Sequence, residues 1–332
     1  MKAQVIREFG DPSVFQPAEI PKPEVKPGHV LIRVAASSVN PIDSKVRQGA
    51  VKGVSPDFPA VLHGDVAGVV EEVGEGVTSF KPGDEVYGCA GGFKGTGGAL
   101  ADYMLADSAL IAHKPPSLTM REAAALPLVS ITAWLALFDR ANIQAGQNVL
   151  VHGSAGGVGH VGIQLAKWAG AKVYTTASSP DKLEIGKQLG ADFTICYRDE
   201  TVEEYVNKYT EGKGFDVVFD TVGGKNLDRS FEAAAMNGTV VTIAARSTHD
   251  LSPLHAKGLS LHVVFMLLSI VTGVNRERHG YILEQVTKLV NEGKLRPLLD
   301  AKTFSFAEVA AAHRHLESGK AVGKVTLVNE NF

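Results

Sequence analysis

The sequence predicts an α/β protein in which an all-β domain, of the partly open barrel kind, is joined to a doubly wound parallel sheet. Three observations carry this. Short β-rich runs separated by Lys26-Pro27-Gly28 and Lys81-Pro82-Gly83-Asp84 fill the first third. After Pro115-Pro116 the chain changes to regular strand–helix alternation. Several later apolar runs, Val149-Leu150-Val151 among them, lack alternating polar residues, as strands buried on both faces do.

In the β-rich part the expected strands are Val30–Ala35, Val66–Val73 and Glu85–Tyr87. Met120 to Leu137 reads as an apolar helical stretch interrupted at Pro127. The alternating part predicts strands at Asn148–His152, Lys172–Ala177, Phe193–Cys196, Asp216–Asp220, Thr239–Ala244 and Leu261–Met266. Helices are expected at Gly157–Trp168, Asp181–Leu189, Val202–Tyr209 and Leu227–Ala235. The tail predicts helices near Tyr281–Asn291 and Phe306–Ser318, then a strand at Lys324–Val328.

At 332 residues, 45% hydrophobic and 21% charged, the chain has the makeup of a two-domain globular protein with a large core. A net charge of −3 with no basic run argues against nucleic acid or an anionic membrane as partner. Cys89 and Cys196 cannot form a disulfide framework, which suits a reducing cytoplasm. The first residues lack the apolar core of a signal peptide. Leu259 to Val274 contains His262 and is flanked by Lys257 and Arg276. It is shorter than a membrane span of about 20 residues, so it is expected to be a buried strand plus a loop.

The most informative segment runs from Asn148 to Ser179: strand, Gly153-Ser154-Ala155-Gly156-Gly157-Val158-Gly159, helix, second strand. Such a turn lets a diphosphate approach backbone N–H groups at a helix N-terminus. Ser154 stands where the commonest dinucleotide turn has a glycine. At the end of the second strand, Thr176-Ala177-Ser178-Ser179 replaces the carboxylate that binds the ribose of NADH, and Lys182 follows. Hydroxyls and an ammonium welcome a 2′-phosphate, so NADPH is the expected cofactor. Asp181 reads as the start of the next helix.

These motifs, together with Ala36–Asp43, His63–Val70 and Lys81–Val86, resemble the medium-chain dehydrogenase/reductase superfamily over essentially the whole chain, and specifically its zinc-free quinone oxidoreductase branch. The resemblance implies a GroES-like β-barrel catalytic domain from residues 1–122 and 271–332 around a Rossmann cofactor domain at 123–270. It also implies a homodimer, through the sixth strand near Leu261–Met266. The zinc ligands of the superfamily's alcohol dehydrogenases correspond to Asn40 and Gly64, so no metal is expected; His63, one place earlier, reads as structural. Without a Lewis acid, the expected substrate accepts hydride readily: a quinone or an α,β-unsaturated carbonyl compound. Two alternatives are a non-catalytic NADPH-binding protein and an enoyl-thioester reductase.

The resemblance places Asn40 and Asp43 at the catalytic centre, although Asx residues beside Pro41 also suit a plain turn. It places Thr132 near the nicotinamide, with a helical Thr bonding its own backbone as the alternative. Cofactor contacts are expected from Ser154, Ala155, Gly156, Gly157, Val158, Ser178, Lys182, Tyr197, Val222, Ala244 and Ala245. The Cys89–Gly98 loop lacks the spacing of a phosphate loop and is expected to be a mobile substrate-side loop, with Phe93, and Phe265 elsewhere, lining the pocket. His313-Arg314-His315 is expected on a surface helix, its neighbours pointing apart.

Overall fold

The computed structural model describes all residues from 1 to 332. In chain order its strands are β1 (Lys2–Ile6), β2 (Gln16–Glu19), β3 (His29–Ser38), β4 (Ala60–Val61), β5 (Asp65–Val73), β6 (Glu85–Cys89), β7 (Tyr103–Asp107) and β8 (Ile111–His113). They continue with β9 (Asn148–His152), β10 (Lys172–Ala177), β11 (Phe193–Cys196), β12 (Phe215–Asp220), β13 (Ala234–Thr242), β14 (Ser260–Val263), β15 (Leu299–Ser305) and β16 (Lys324–Val328). The chain divides into two units, Met1–Ile131 with Leu267–Phe332, and Thr132–Met266.

In the first unit the path β15-β16-β3-β5-β6-β8 forms one sheet, with β7 also paired to β3. The long strand β3 is its spine, and its buried Val30, Ile32, Val34 and Ala36 supply one apolar face. Strand β16 lies antiparallel to β3, with Leu327 opposite Ser37 and Thr326 opposite Ser38. This pairing brings the C-terminal strand to the polar end of β3. A smaller sheet, β2-β1-β4, completes the unit.

The second unit is a parallel six-stranded sheet ordered β11-β10-β9-β12-β13-β14. Val149, Leu150, Val151, Val218 and Val240 are fully buried, which explains their unbroken apolar runs. Strand order reverses between β9 and β12, where open sheets of this kind receive ligands at their carboxyl ends. The segment expected as a buried strand plus a loop differs. β14 is an edge strand with no fully buried residue, Val263 is half exposed, and Leu268–Thr272 forms a short helix. An edge strand has a neighbour on one side only, so its apolar residues need not be covered. The expected strand Thr239–Ala244 instead starts earlier and stops at Thr242, leaving Ala244 and Ala245 in the loop beyond it.

Candidate functional site

In the first unit a fully buried carboxylate, Asp65 at the start of β5, gathers the polar groups. It accepts hydrogen bonds from Ser38 Oγ at 2.7 Å, Asn40 Nδ2 at 2.8 Å and the Leu128 backbone N–H at 2.8 Å, with Lys324 Nζ at 3.4 Å. Leu128 lies in the first turn of helix Pro127–Trp134, where a carboxylate is favoured by the helix dipole. Lys324, almost wholly buried at the start of β16, also donates to Asn40 Oδ1 and to the Val39 carbonyl. Both ends of the Asn40 amide are thus held by ionic groups.

Asn40 and Asp43 therefore divide their duties. Asn40 is the N-cap of helix Pro41–Arg47, yet its side chain makes no capping bond. The cap comes from Asp43, whose Oδ2 accepts from the Asn40 backbone N–H at 2.8 Å. Burial pushes the Asp43 carboxyl up to about 7, and the negative charge of Asp65 adds to the rise. Asp43 thus caps the helix through its carboxylate, while the Asn40 amide meets Asp65 and Lys324.

A second chain of hydrogen bonds runs beside the first. Ser37 Oγ donates to the Asp65 carbonyl at 2.7 Å, so the 3.3 Å contact to His63 Nδ1 has the imidazole as donor. His63 Nε2 then accepts from His313 Nε2 at 2.9 Å, and His313 Nδ1 accepts from Ser44 Oγ at 3.3 Å. Both rings are fully buried and neutral: burial takes His63 down to about 3, helped by the Lys324 charge, and depresses His313 as well. The expectation of His313 on a surface helix is corrected. Helix Val309–Glu317 turns Val309, Ala312 and His313 inward, while Arg314 faces out.

In the second unit the glycine turn opens β9 into helix Gly157–Trp168. Gly153 has φ +80° and its carbonyl accepts from Gly156 N–H at 3.0 Å. A Cβ at Gly159 would lie 2.0 Å from that same carbonyl, so only glycine fits there. Gly156 is the N-cap and no side chain caps the helix. Its first-turn N–H groups have no partner within the helix, the arrangement in which a helix N-terminus can receive an anion. Ser154 departs from expectation. It is fully buried, its N–H bonds the Thr176 carbonyl at 3.1 Å, and its hydroxyl donates to the Lys182 carbonyl at 2.7 Å. The side chain that replaces glycine is spent on fastening the next helix, not on a ligand.

Ser178 and Lys182 follow the end of β10, and neither side chain has a protein partner. Tyr197, nearly half exposed, follows the adjacent β11 and its N–H bonds the Ala177 carbonyl at 3.2 Å. At the end of β12 the buried Asp220 shapes the next loop, accepting from the N–H groups of Val222 at 3.0 Å and Gly223 at 3.1 Å and from Asn226 Nδ2 at 2.9 Å. His152, at the end of β9, is held down to about 4 by burial against the opposing charge of Asp220. Thr132 is nearly buried, while Val222 and Phe265 are exposed.

Residues 26–116 match the family described as alcohol dehydrogenase GroES-like domain, and 189–327 the family described as zinc-binding dehydrogenase. An NADPH-dependent alkenal/one oxidoreductase from Arabidopsis thaliana is 36% identical, over 98% of this chain and 79% of that protein. The human quinone oxidoreductase is 30% identical, over 99% and 98%. The chain belongs to the medium-chain dehydrogenase/reductase superfamily. A solved structure of an alcohol dehydrogenase superfamily protein from Novosphingobium aromaticivorans matches with a TM-score of 0.94 at 40% identity, covering 99% of each chain.

Within that superfamily the two positions assigned to zinc ligands have other occupations here. Asn40 is held between Asp65 and Lys324. A Cβ at Gly64 would lie 2.9 Å from both Cys89 Sγ and the Phe93 ring, so an imidazole has no room. No group of three or more His, Cys, Asp or Glu side chains is placed to hold a metal. Phe93 is fully buried in that contact and presents no surface to a substrate; its loop is tied down by Lys94 N–H to Val54 and Gly98 N–H to Val61. The sequence reading missed Asp65, Lys324 and Asp220 as organisers. Asp65 lies within the His63–Val70 motif, and a lysine opening the apolar strand Lys324–Val328 is the one sequence signal for Lys324.

Proposed function

We propose that the chain is an NADPH-dependent, zinc-independent oxidoreductase that reduces a quinone or an α,β-unsaturated carbonyl compound. The observation that carries this is the open carboxyl end of the parallel sheet: an uncapped helix N-terminus at Gly156, with unpartnered Ser178 and Lys182 at the next strand end. That geometry fits a dinucleotide with an anionic ribose substituent. The alkenal/one and quinone oxidoreductase relatives support the substrate class.

When bound, NADPH supplies the hydride that adds to the acceptor. Ala155, Gly156, Gly157 and Val158 would receive the pyrophosphate, and Ser178, Lys182 and Tyr197 the 2′-phosphate. Val222, Ala244, Ala245 and Thr132 would bound the nicotinamide. Asn40 Nδ2 has a second hydrogen beyond the one given to Asp65, and a donor held this firmly needs no reorganisation to meet a developing oxyanion. The exposed outer edge of β14, with Val263 and Phe265, supports a homodimer joined there. No helix is long and apolar enough to cross a membrane. The two unpaired cysteines support a reducing compartment such as the cytoplasm.

The test is NADPH oxidation with a panel of quinones and enones, before and after exhaustive chelation. Turnover that survives chelation is expected. No oxidation with any acceptor, or activity restored only by added zinc, overturns the reading.

A further inference from the structure

Loop 243–251, which follows β13 in the second unit, holds two side chains, Ser247 and His249, that the cofactor reading leaves unused, and a third, Asp228, meets them from a neighbouring helix. Asp228 Oδ1, from helix Lys225–Ala233, lies 2.7 Å from His249 Nδ1. His249 Nε2 lies 2.5 Å from Ser247 Oγ. The order is carboxylate, imidazole, hydroxyl, with each ring nitrogen committed to one neighbour. The His249 side chain is only 8% exposed and stands edge-on to the fully buried Phe231 ring, with centroids 6.2 Å apart, so the imidazole is packed as well as hydrogen-bonded. Ser247, by contrast, is exposed. It follows Ala245 by two residues, within about 8 Å along the chain. A buried, oriented imidazole therefore backs a single solvent-facing hydroxyl, next to the loop proposed above for the nicotinamide.

We propose that Ser247, His249 and Asp228 form a proton relay that completes the reduction of α,β-unsaturated carbonyl compounds. This rests on the proposed hydride transfer and narrows its substrate class. Hydride addition to the β-carbon of an enone leaves an enolate, and saturation requires a proton on the α-carbon. Quinone reduction places its protons on oxygen, where water delivers them readily; protonation on carbon is slower and gains from a positioned acid. In its imidazolium form His249 donates from both nitrogens, to Asp228 and to Ser247 Oγ, which leaves the Ser247 hydrogen free to point at the substrate. As the Ser247 O–H bond breaks and the new C–H bond forms, the Nε2 proton of His249 passes to Ser247 Oγ. The hydroxyl is regenerated, His249 is left neutral, and solvent returns its proton. The electron pair of the new C–H bond is the enolate's own, so no further oxidant or reductant enters. Ser247 touches the substrate; His249 and Asp228 are positioning residues that act through it.

The experiment compares unmutated protein with Ser247→Ala, Ser247→Thr and His249→Asn, each checked for an unchanged melting temperature. Each is assayed with NADPH against an α-substituted enone and a quinone, and the enone product formed in D2O is analysed for its stereochemistry. Ser247→Ala and His249→Asn should lower the ratio of enone to quinone kcat by about 100-fold, the lower end of what a positioned acid contributes. They should also scramble deuterium at the α-carbon, because bulk solvent reaches either face. Ser247→Thr, which keeps the hydroxyl, should restore both the ratio and the single configuration. A purely structural role would alter both acceptors alike and leave the α-carbon stereochemistry intact. An active unmutated enzyme whose ratio and stereochemistry do not move in Ser247→Ala overturns the relay alone. Unmutated protein inactive with both acceptors overturns the parent reading and the relay with it.

Discussion

The polar ring of the first unit and the open sheet end of the second use polar groups in opposite ways. Around Asp65, Asn40, His63 and His313 the buried polar atoms are satisfied by protein partners, down to the tautomer of each imidazole. At Gly156 the helix N-terminus is left without a cap, and nearby Ser178 and Lys182 have no partners. A buried group left unpaired costs about 1–3 kcal/mol, so the ring has to be closed to exist at all. An exposed N-terminus pays little in water and can wait for an anion. The closed ring is thus a frame that fixes the Asn40 amide in place, and the open end leaves donors without a protein partner, as the proposed cofactor requires. The two regions should accordingly fail differently when cut.

The largest effect should come from the ring. Lys324→Met removes the cation that meets Asp65, Asn40 and the Val39 carbonyl at once. Breaking one side of a buried ion pair typically costs about 3–5 kcal/mol, since the partner charge is stranded. Urea unfolding should show that loss. Lys324→Met combined with Asp65→Asn should recover part of it, because no lone charge then remains. A Lys324→Met protein as stable as the original would show that the ring tolerates opening, and would undo the contrast.

A smaller effect, on binding rather than folding, is expected at the open end. Lys182→Ala removes an unpaired ammonium beside the proposed phosphate position and should leave the melting temperature nearly unchanged. A hydrogen bond to a charged group is worth about 1.5–3 kcal/mol, so kcat/KM for NADPH should fall roughly ten- to a hundredfold while that for NADH hardly moves. The preference should also shrink as salt rises, since an exposed pair is screened. Equal use of the two cofactors by the unmutated protein would mean that the end of β10 does not read the phosphate.

These regions also differ in how far they could be read from sequence. Strand, glycine turn, helix and second strand form a local pattern, and β9, helix Gly157–Trp168 and β10 fall on the expected residues. The ring is built across the chain. His63 meets His313 at a separation of 250 residues, and Asn40 meets Lys324 at 284. No spacing rule links such positions, so the sequence alone assigns no role to Asp65 or Lys324 and gives no sign that His313 turns inward. Ser154 failed for a subtler reason. Its place in the turn was right, but the direction of its hydroxyl depends on how close helix Pro180–Gln188 approaches, and Gly186 permits that approach.

The smallest expected effect tests whether Asp43 belongs to scaffold or chemistry. Burial raises its carboxyl to about 7, so between pH 4 and 7 the folded protein holds a proton that the unfolded chain, titrating near 3.8, has released. Stability linked to this group is therefore fully present below about pH 4 and declines as pH rises through 7. His63 and His152 act with the opposite sign: their folded values of about 3 and 4 lie below the usual 6.5, so their contribution is lost as pH falls below that value. Asp43→Asn isolates the carboxyl, because its amide oxygen can still accept from the Asn40 N–H while it no longer ionises beside Asp65 and Lys324. Measured by urea unfolding at each pH, the variant should gain on the original protein from pH 5 to 8, and the two should run parallel below pH 4. A gap independent of pH would contradict the raised value. Turnover decides the rest: a carboxyl that only caps helix Pro41–Arg47 leaves the pH profile of kcat in place, whereas one that exchanges protons with substrate takes a limb of that profile away with it.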